Sequence, residues 1–128
     1  MSIVTSPNSP YEVVFEDDGR VAYAYLRHLG KFVSDVWLYN SEATPAQPEW
    51  ADRSKMPFMN PKGFVTDERP PIPSRPDDVT ARWVYDGDRL KAVEVYLNGQ
   101  LWAKLAPDVR PGWSKGAARV GPLAQPLV

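Results

Sequence analysis

The chain opens its patterned part with Tyr11-Glu12-Val13-Val14-Phe15, a run rich in β-branched and aromatic side chains that stops at the turn signal Glu16-Asp17-Asp18-Gly19. A strand is expected there. From Val21 to Leu26 small and large side chains alternate with period two, and Leu29-Gly30-Lys31 then reverses the chain into a third strand, Phe32 to Tyr39. Strict alternation puts Phe32, Val36 and Leu38 on one face of that strand and Val33, Asp35, Trp37 and Tyr39 on the other.

A second strand-rich block begins near Thr80, turns at Asp86-Gly87-Asp88, and continues as Leu90 to Leu97. Asn98-Gly99 is the strongest hairpin signal, because this pair readily supplies the positive φ angles of a type I′ turn. Gln100 to Leu105 then pairs back. The expected architecture is mainly β: an antiparallel sheet of about six strands in two three-stranded meanders, open-barrel or sandwich-like. Its parts are an arm at 1–10, a first meander at 11–39, a proline-rich loop at 40–79, a second meander at 80–105 and an irregular tail at 106–128.

The middle segment breaks both periodicities. Eight of the 14 prolines fall there, from Pro45 to Pro76, and proline removes a backbone donor and fixes φ. A connection of this length inside a compact domain is expected to be packed down in part, with Trp50, Met56, Phe58, Met59 and Phe64 as anchors and a helical turn around Pro48 to Asp52. In the tail, Trp113 and Leu123 are the expected anchors.

The two blocks also resemble each other. Phe15 through the Asp-Gly turn to Tyr25-Leu26 parallels Tyr85 through Gly87 to Tyr96-Leu97, and Phe32-Val33 parallels Leu101-Trp102. Duplication and convergence both fit this likeness. On this register Ala22, Ala24 and Leu26 face the core with Val93, Val95 and Leu97, while Tyr23, Tyr25, Glu94 and Tyr96 lie opposite. With Trp37 or Trp102 that second face would form an aromatic patch of the kind that marks an interaction surface, unless the proline-rich loop covers it.

Composition narrows the function classes. The chain has 128 residues, enough for one core, and 43% hydrophobic against 24% charged residues argues for a folded, soluble domain. Fifteen Lys and Arg against sixteen Asp and Glu give a net charge of -1, so the general attraction that supports nucleic-acid or anionic-membrane binding is missing. There is no cysteine, which excludes thiol catalysis and thiolate zinc sites. Neither a secretory leader nor a membrane-length apolar run is visible, and a cytoplasmic address is expected.

Candidate chemistry is sparse. His28 is the only histidine, and no nucleophile-elbow spacing accompanies it, so no catalytic residue is expected. One histidine without cysteine also argues against a transition-metal site, and no cofactor motif is present. The acidic pairs Asp17-Asp18, Asp67-Glu68 and Asp77-Asp78 adjoin Gly or Pro and read as turn builders. Asp35 stands in an apolar strand: if buried it needs a cation such as Arg82 or Lys104, and otherwise it is solvated on the outer face.

The runs Tyr11 to Gly19, Val21-Ala-Tyr-Ala-Tyr25 and Asp35-Val-Trp-Leu-Tyr-Asn40 resemble a family of short uncharacterised bacterial proteins with an N-terminal Val-Phe-Glu-Asp-Asp-Gly signature. The resemblance extends more loosely over Trp83 to Ala103, and this chain departs from it in the long insert at 41–79 and the Pro-Leu-Ala-Gln-Pro tail. It implies a bacterial cytoplasmic protein and carries over no catalytic residues. Small acidic β proteins of this size are similar to immunity proteins of toxin systems, an analogy of fold and size only.

These readings point to a non-enzymatic protein-binding domain, with an immunity-type inhibitor of a bacterial toxin as one form of it. Tyr and Trp are enriched at binding hot spots, so the expected surface is Tyr23, Tyr25, Asp35, Trp37, Trp50 and Trp102. Its partner would be another protein or a second copy of the chain. The alternative is a small-molecule binder or enzyme with a pocket between sheet and proline-rich loop, using Asp35, Arg53 and His28.

Overall fold

A computed structural model of the chain describes residues 1–8 and 10–128. The described residues form nine strands and two short 3-10 turns, with no α-helix among them. The first sheet is antiparallel in the order β1 (Ser2–Asn8), β2 (Tyr11–Asp17), β3 (Val21–His28), β4 (Lys31–Asn40). The second runs β5 (Val79–Asp86), β6 (Arg89–Leu97), β7 (Gln100–Ala106), β8 (Val109–Ser114), β9 (Gln125–Pro126), with its last pair parallel. No helix among the described residues is long and apolar enough to cross a membrane.

Both expected meanders are present, as β2–β4 and β5–β7, but the count of about six strands is too low. The arm at 1–10 supplies a further strand, β1, whose Ile3 is buried opposite Phe15; Ser9 lies outside the described residues. The tail likewise supplies β8 and β9. Its Pro and Gly residues suggested irregular chain, yet Pro111 and Gly112 fall at the irregular step of the β7–β8 ladder, between Lys104 and Ala106, where proline is tolerated. Leu123 is buried as expected, and its carbonyl accepts a bond from the Trp37 N–H.

The turns follow their local chemistry. Asp17 and Asp18 carboxylates accept from the N–H groups of Gly19, Arg20 and Val21, and Asn98 and Gly99 both take positive φ, at 49° and 78°. The helical turn expected at 48–52 instead forms at Arg53–Lys55, because the Asp52 carboxylate caps the Ser54 N–H at 3.0 Å and so sets the start there.

Inner-facing residues of both sheets join in one core that includes Phe15, Leu26 and Val36 with Val93, Val95, Leu97 and Leu105. Polar ties cross it. The Trp102 indole N–H donates to the Leu38 carbonyl at 2.8 Å, the Ser114 hydroxyl donates to the same oxygen at 3.3 Å, and the Ser34 hydroxyl donates to the Val109 carbonyl. All three donor residues are wholly buried, where an unmade hydrogen bond is costly. The central part of β4 is thereby fixed against β7 and β8, and this holds the outer face of the first sheet in a defined register.

Candidate functional site: the outer face of the first sheet

Directly paired residues of an antiparallel sheet share a face. Val14, Tyr25 and Asp35 form one row across β2, β3 and β4; Glu16, Tyr23 and Trp37 form the next on one side, and Glu12, Arg27 and Phe32 the next on the other. Strict alternation would have put Phe32 with Val36 and Leu38. Register shifts between Ala22 and Tyr23 and between Leu26 and Arg27 prevent that. Each leaves one extra residue in β4, so Phe32 turns out beside Arg27 while Tyr39 joins Ala22 on the inner side.

The result is an aromatic ladder. Tyr23 and Tyr25 stack with ring centres 6.0 Å apart, and the Phe32 ring lies 5.1 Å from that of Tyr25. Arg27 sits 5.9 Å above the Phe32 ring while donating to Glu12. Carboxylates border the tyrosines: Glu16 is exposed, and Asp35 is partly exposed with Arg110 at 3.7 Å. The Tyr25 hydroxyl is pushed up to about 12, first by burial and then by the negative charges of Glu16, Asp35 and Asp18. Tyr23 is raised further, mainly by burial.

The proline-rich segment covers only part of this face. The Tyr23 hydroxyl donates to the Phe58 carbonyl at 2.7 Å. Arg20, in the turn before β3, donates to the Pro57 carbonyl at 2.8 Å and to the Glu49 carboxylate, which also accepts the Met59 N–H at 3.0 Å. Tyr23 is consequently 7% exposed, whereas Phe32 is 52% exposed and Tyr25 is intermediate. Both readings of the face therefore hold in different places. The loop closes the Tyr23 end and leaves Tyr25 and Phe32 accessible.

The structure separates the six residues expected at the surface. Tyr23, Tyr25 and Asp35 lie together on this face. Trp37 shares the face by register but is wholly buried, with its indole N–H donated to Asn40 at 2.9 Å and its ring against Gly116. Trp102 is also wholly buried, in the inter-sheet core. Neither tryptophan can meet a partner, which corrects their placement on an exposed patch: the tail packs over Trp37, and Trp102 lies between the two sheets. Trp50 is half-buried and meets Phe64 of its own segment edge-on at 5.5 Å. Glu94 and Tyr96 belong to the second sheet and do not extend the ladder.

Sequence reasoning missed Phe32, Glu12, Glu16 and Arg27. The two residues of β2 and Arg27 were within reach, since Glu12, Glu16, Tyr25 and Arg27 alternate in phase with Tyr23 along their strands. Phe32 was not, because a bulge carries no local signature there.

The residues of the pocket alternative do not converge. Two hollows lie between the first sheet and the proline-rich segment: one of about 180 Å³ lined by residues including Trp37, Asn40, Glu68, Arg69 and Trp102, and a more open one of about 430 Å³ lined by Asp18, Arg20, Glu49, Ser54, Lys55 and Met56. Asp35, Arg53 and His28 are in the walls of neither. His28 stacks on Tyr11 at 4.5 Å, and Arg53 lies exposed in a 3-10 turn. Arg82 pairs with Glu94 and Lys104 lies over Trp113, so neither neutralises Asp35. Among the described residues no cluster of His, Asp and Glu suits a metal ion. No family model, curated protein or solved structure matches the chain.

Proposed function

We propose that this chain is a protein-binding domain whose contact surface is the open half of the aromatic ladder, centred on Tyr25 and Phe32. The observation that carries the reading is the 52% exposure of Phe32 beside a half-covered, stacked tyrosine on a rigid sheet. A large apolar ring left in water by a fold that buries two tryptophans completely is the kind of anchor that interfaces use. The acidic border would give such an interface its orientation. An immunity-type inhibitor, which sets this face against a toxin's active site, is the specific form we favour, in a bacterial cytoplasm.

The pocket alternative has less support. The cavity of about 180 Å³ is small against the roughly 300 Å³ at which ligand pockets begin, and Asp35, Arg53 and His28 line neither it nor the more open hollow at the β2–β3 turn.

The test places a photo-cross-linking phenylalanine analogue at position 32, and at position 85 of β5 as a control, since Tyr85 is also exposed, at 41%. Cross-links from position 32 alone are expected, to a protein that can then be purified for affinity measurement. A cross-link to a second copy of the chain would turn the reading to self-association. Equal yields from both positions would contradict it.

A further inference from the structure

The ladder contains one complete cation seat and one incomplete one. In the complete seat the Arg27 guanidinium lies over the Phe32 ring and is held by Glu12, which pairs with it across β2 and β3. One row over, Tyr25 has the same type of surroundings: an aromatic ring, Asp35 directly opposite on β4, and Glu16 diagonally across on β2. Among the described residues no arginine or lysine lies over the Tyr25 ring.

Two cations of this region are engaged elsewhere, and a third faces Asp35 from one side only. Arg27 is bound to Glu12 and Arg20 to Glu49 and two loop carbonyls. Arg110 forms a long, partly exposed ion pair with Asp35 at 3.7 Å, with no hydrogen bond between them, while another of its nitrogens donates to the Phe32 carbonyl at 2.9 Å and ties it to the start of β4. Glu16 forms no ion pair among the described residues. The Tyr25 hydroxyl has no hydrogen-bond partner among them either, and its pKa is raised first by burial and then by the charges of Glu16, Asp35 and Asp18.

We propose that the second seat receives an arginine or lysine side chain of the partner, laid over the Tyr25 ring between the carboxylates of Glu16 and Asp35. This rests on the protein-binding reading above and names the chemistry the partner must present: a basic side chain projecting from a surface that can also cover Phe32. Arginine suits the seat better than lysine, because its planar group can stack on the ring and offer nitrogens to both carboxylates at once. The partner would thus repeat in trans what Arg27 does in cis.

The probe is a blocked tetra-arginine peptide, titrated into the isotope-labelled full chain and followed by NMR at the carboxylates and tyrosine rings. Saturable shifts confined to Glu16, Tyr25 and Asp35 are expected, with affinity falling about threefold to tenfold in Glu16→Gln and again in Tyr25→Leu. A tetra-lysine peptide is expected to bind more weakly. Shifts spread evenly over distant carboxylates such as Asp88, or an affinity unchanged in Glu16→Gln, would overturn the proposal. The two readings fail separately. If the cross-linked partner binds through Phe32 with an affinity indifferent to Glu16→Gln and Asp35→Asn, the contact face stands and cation recognition falls. If the peptide fills the seat while position 32 cross-links nothing, the seat stands and the protein-binding reading falls.

Discussion

The phenolic hydroxyl of Tyr23 donates to the backbone carbonyl of Phe58 at 2.7 Å, joining the middle of β3 to the proline-rich segment 35 residues away. With the Arg20 clamp beside it, this contact holds the segment over the Tyr23 end of the aromatic face. Tyr23→Phe keeps the ring and removes the donor, leaving the partly buried Phe58 carbonyl without that bond. The expected loss is about 1 kcal/mol in urea unfolding, with faster amide exchange at Met59 and Asn60. Unchanged exchange there would show that the segment is held without this bond.

The neighbouring clamp is sensitive to acid. Burial works against the charged form of Glu49, but hydrogen bonds from Arg20 and from the Met59 N–H, with the charges of Arg20 and Lys55, outweigh it and hold its pKa below the usual 4.5. A carboxylate depressed in the folded state contributes stability above its unfolded value, and that contribution is lost as pH falls through the folded value. Wild type is therefore expected to lose stability more steeply below about pH 4.5 than Glu49→Gln, in denaturant titrations at matched ionic strength. Parallel curves would remove Glu49 from the clamp.

Much of this fold was legible. Tyr11 to Phe15, Val21 to Leu26 and the Asn98-Gly99 hairpin carry their structure in local alternation and turn chemistry, and they form as expected. The strands β1, β8 and β9 did not announce themselves, because Ser2–Asn8 is polar and Val109–Ser114 contains Pro and Gly; their pairing is set by neighbours already in place. The site was half legible. Tyr23, Tyr25 and Asp35 share a face by simple parity, whereas the register shift between Leu26 and Arg27 brings Phe32 onto it and the tail buries Trp37. Parity counting fails after a bulge, and exposure is a tertiary property that no single strand encodes.

Gly116 shows how closely the tail is fitted over Trp37. A methyl group there would stand 2.8 Å from the Leu38 carbonyl oxygen and 3.2 Å from the Trp37 ring. Both neighbours are fixed, since that carbonyl accepts from Trp102 and Ser114. Gly116→Ala is expected to cost about 1–3 kcal/mol by chemical denaturation. A neutral substitution would mean that the tail can shift away and that Trp37 is less firmly covered.

The electrostatics of the open seat can be read without any partner. Tyr25 is expected to titrate near 12 in a carbon-labelled tyrosine NMR titration, and Glu16→Gln to lower that value by removing a negative neighbour. Because the folded value exceeds the usual 10, the contribution of Tyr25 to stability is complete below about pH 10 and declines as pH rises toward 12. An ordinary titration near 10, insensitive to Glu16, would leave the seat without its negative field.

If Tyr25 and Phe32 form the contact surface, the most direct measurement is the affinity of the purified cross-linked partner for wild type and for the Tyr25→Ala/Phe32→Ala pair. Calorimetry is expected to show a loss of at least about tenfold, the scale of one interface hot spot, with near-ultraviolet circular dichroism confirming intact packing. An affinity equal to that of wild type in a folded double variant would contradict the account.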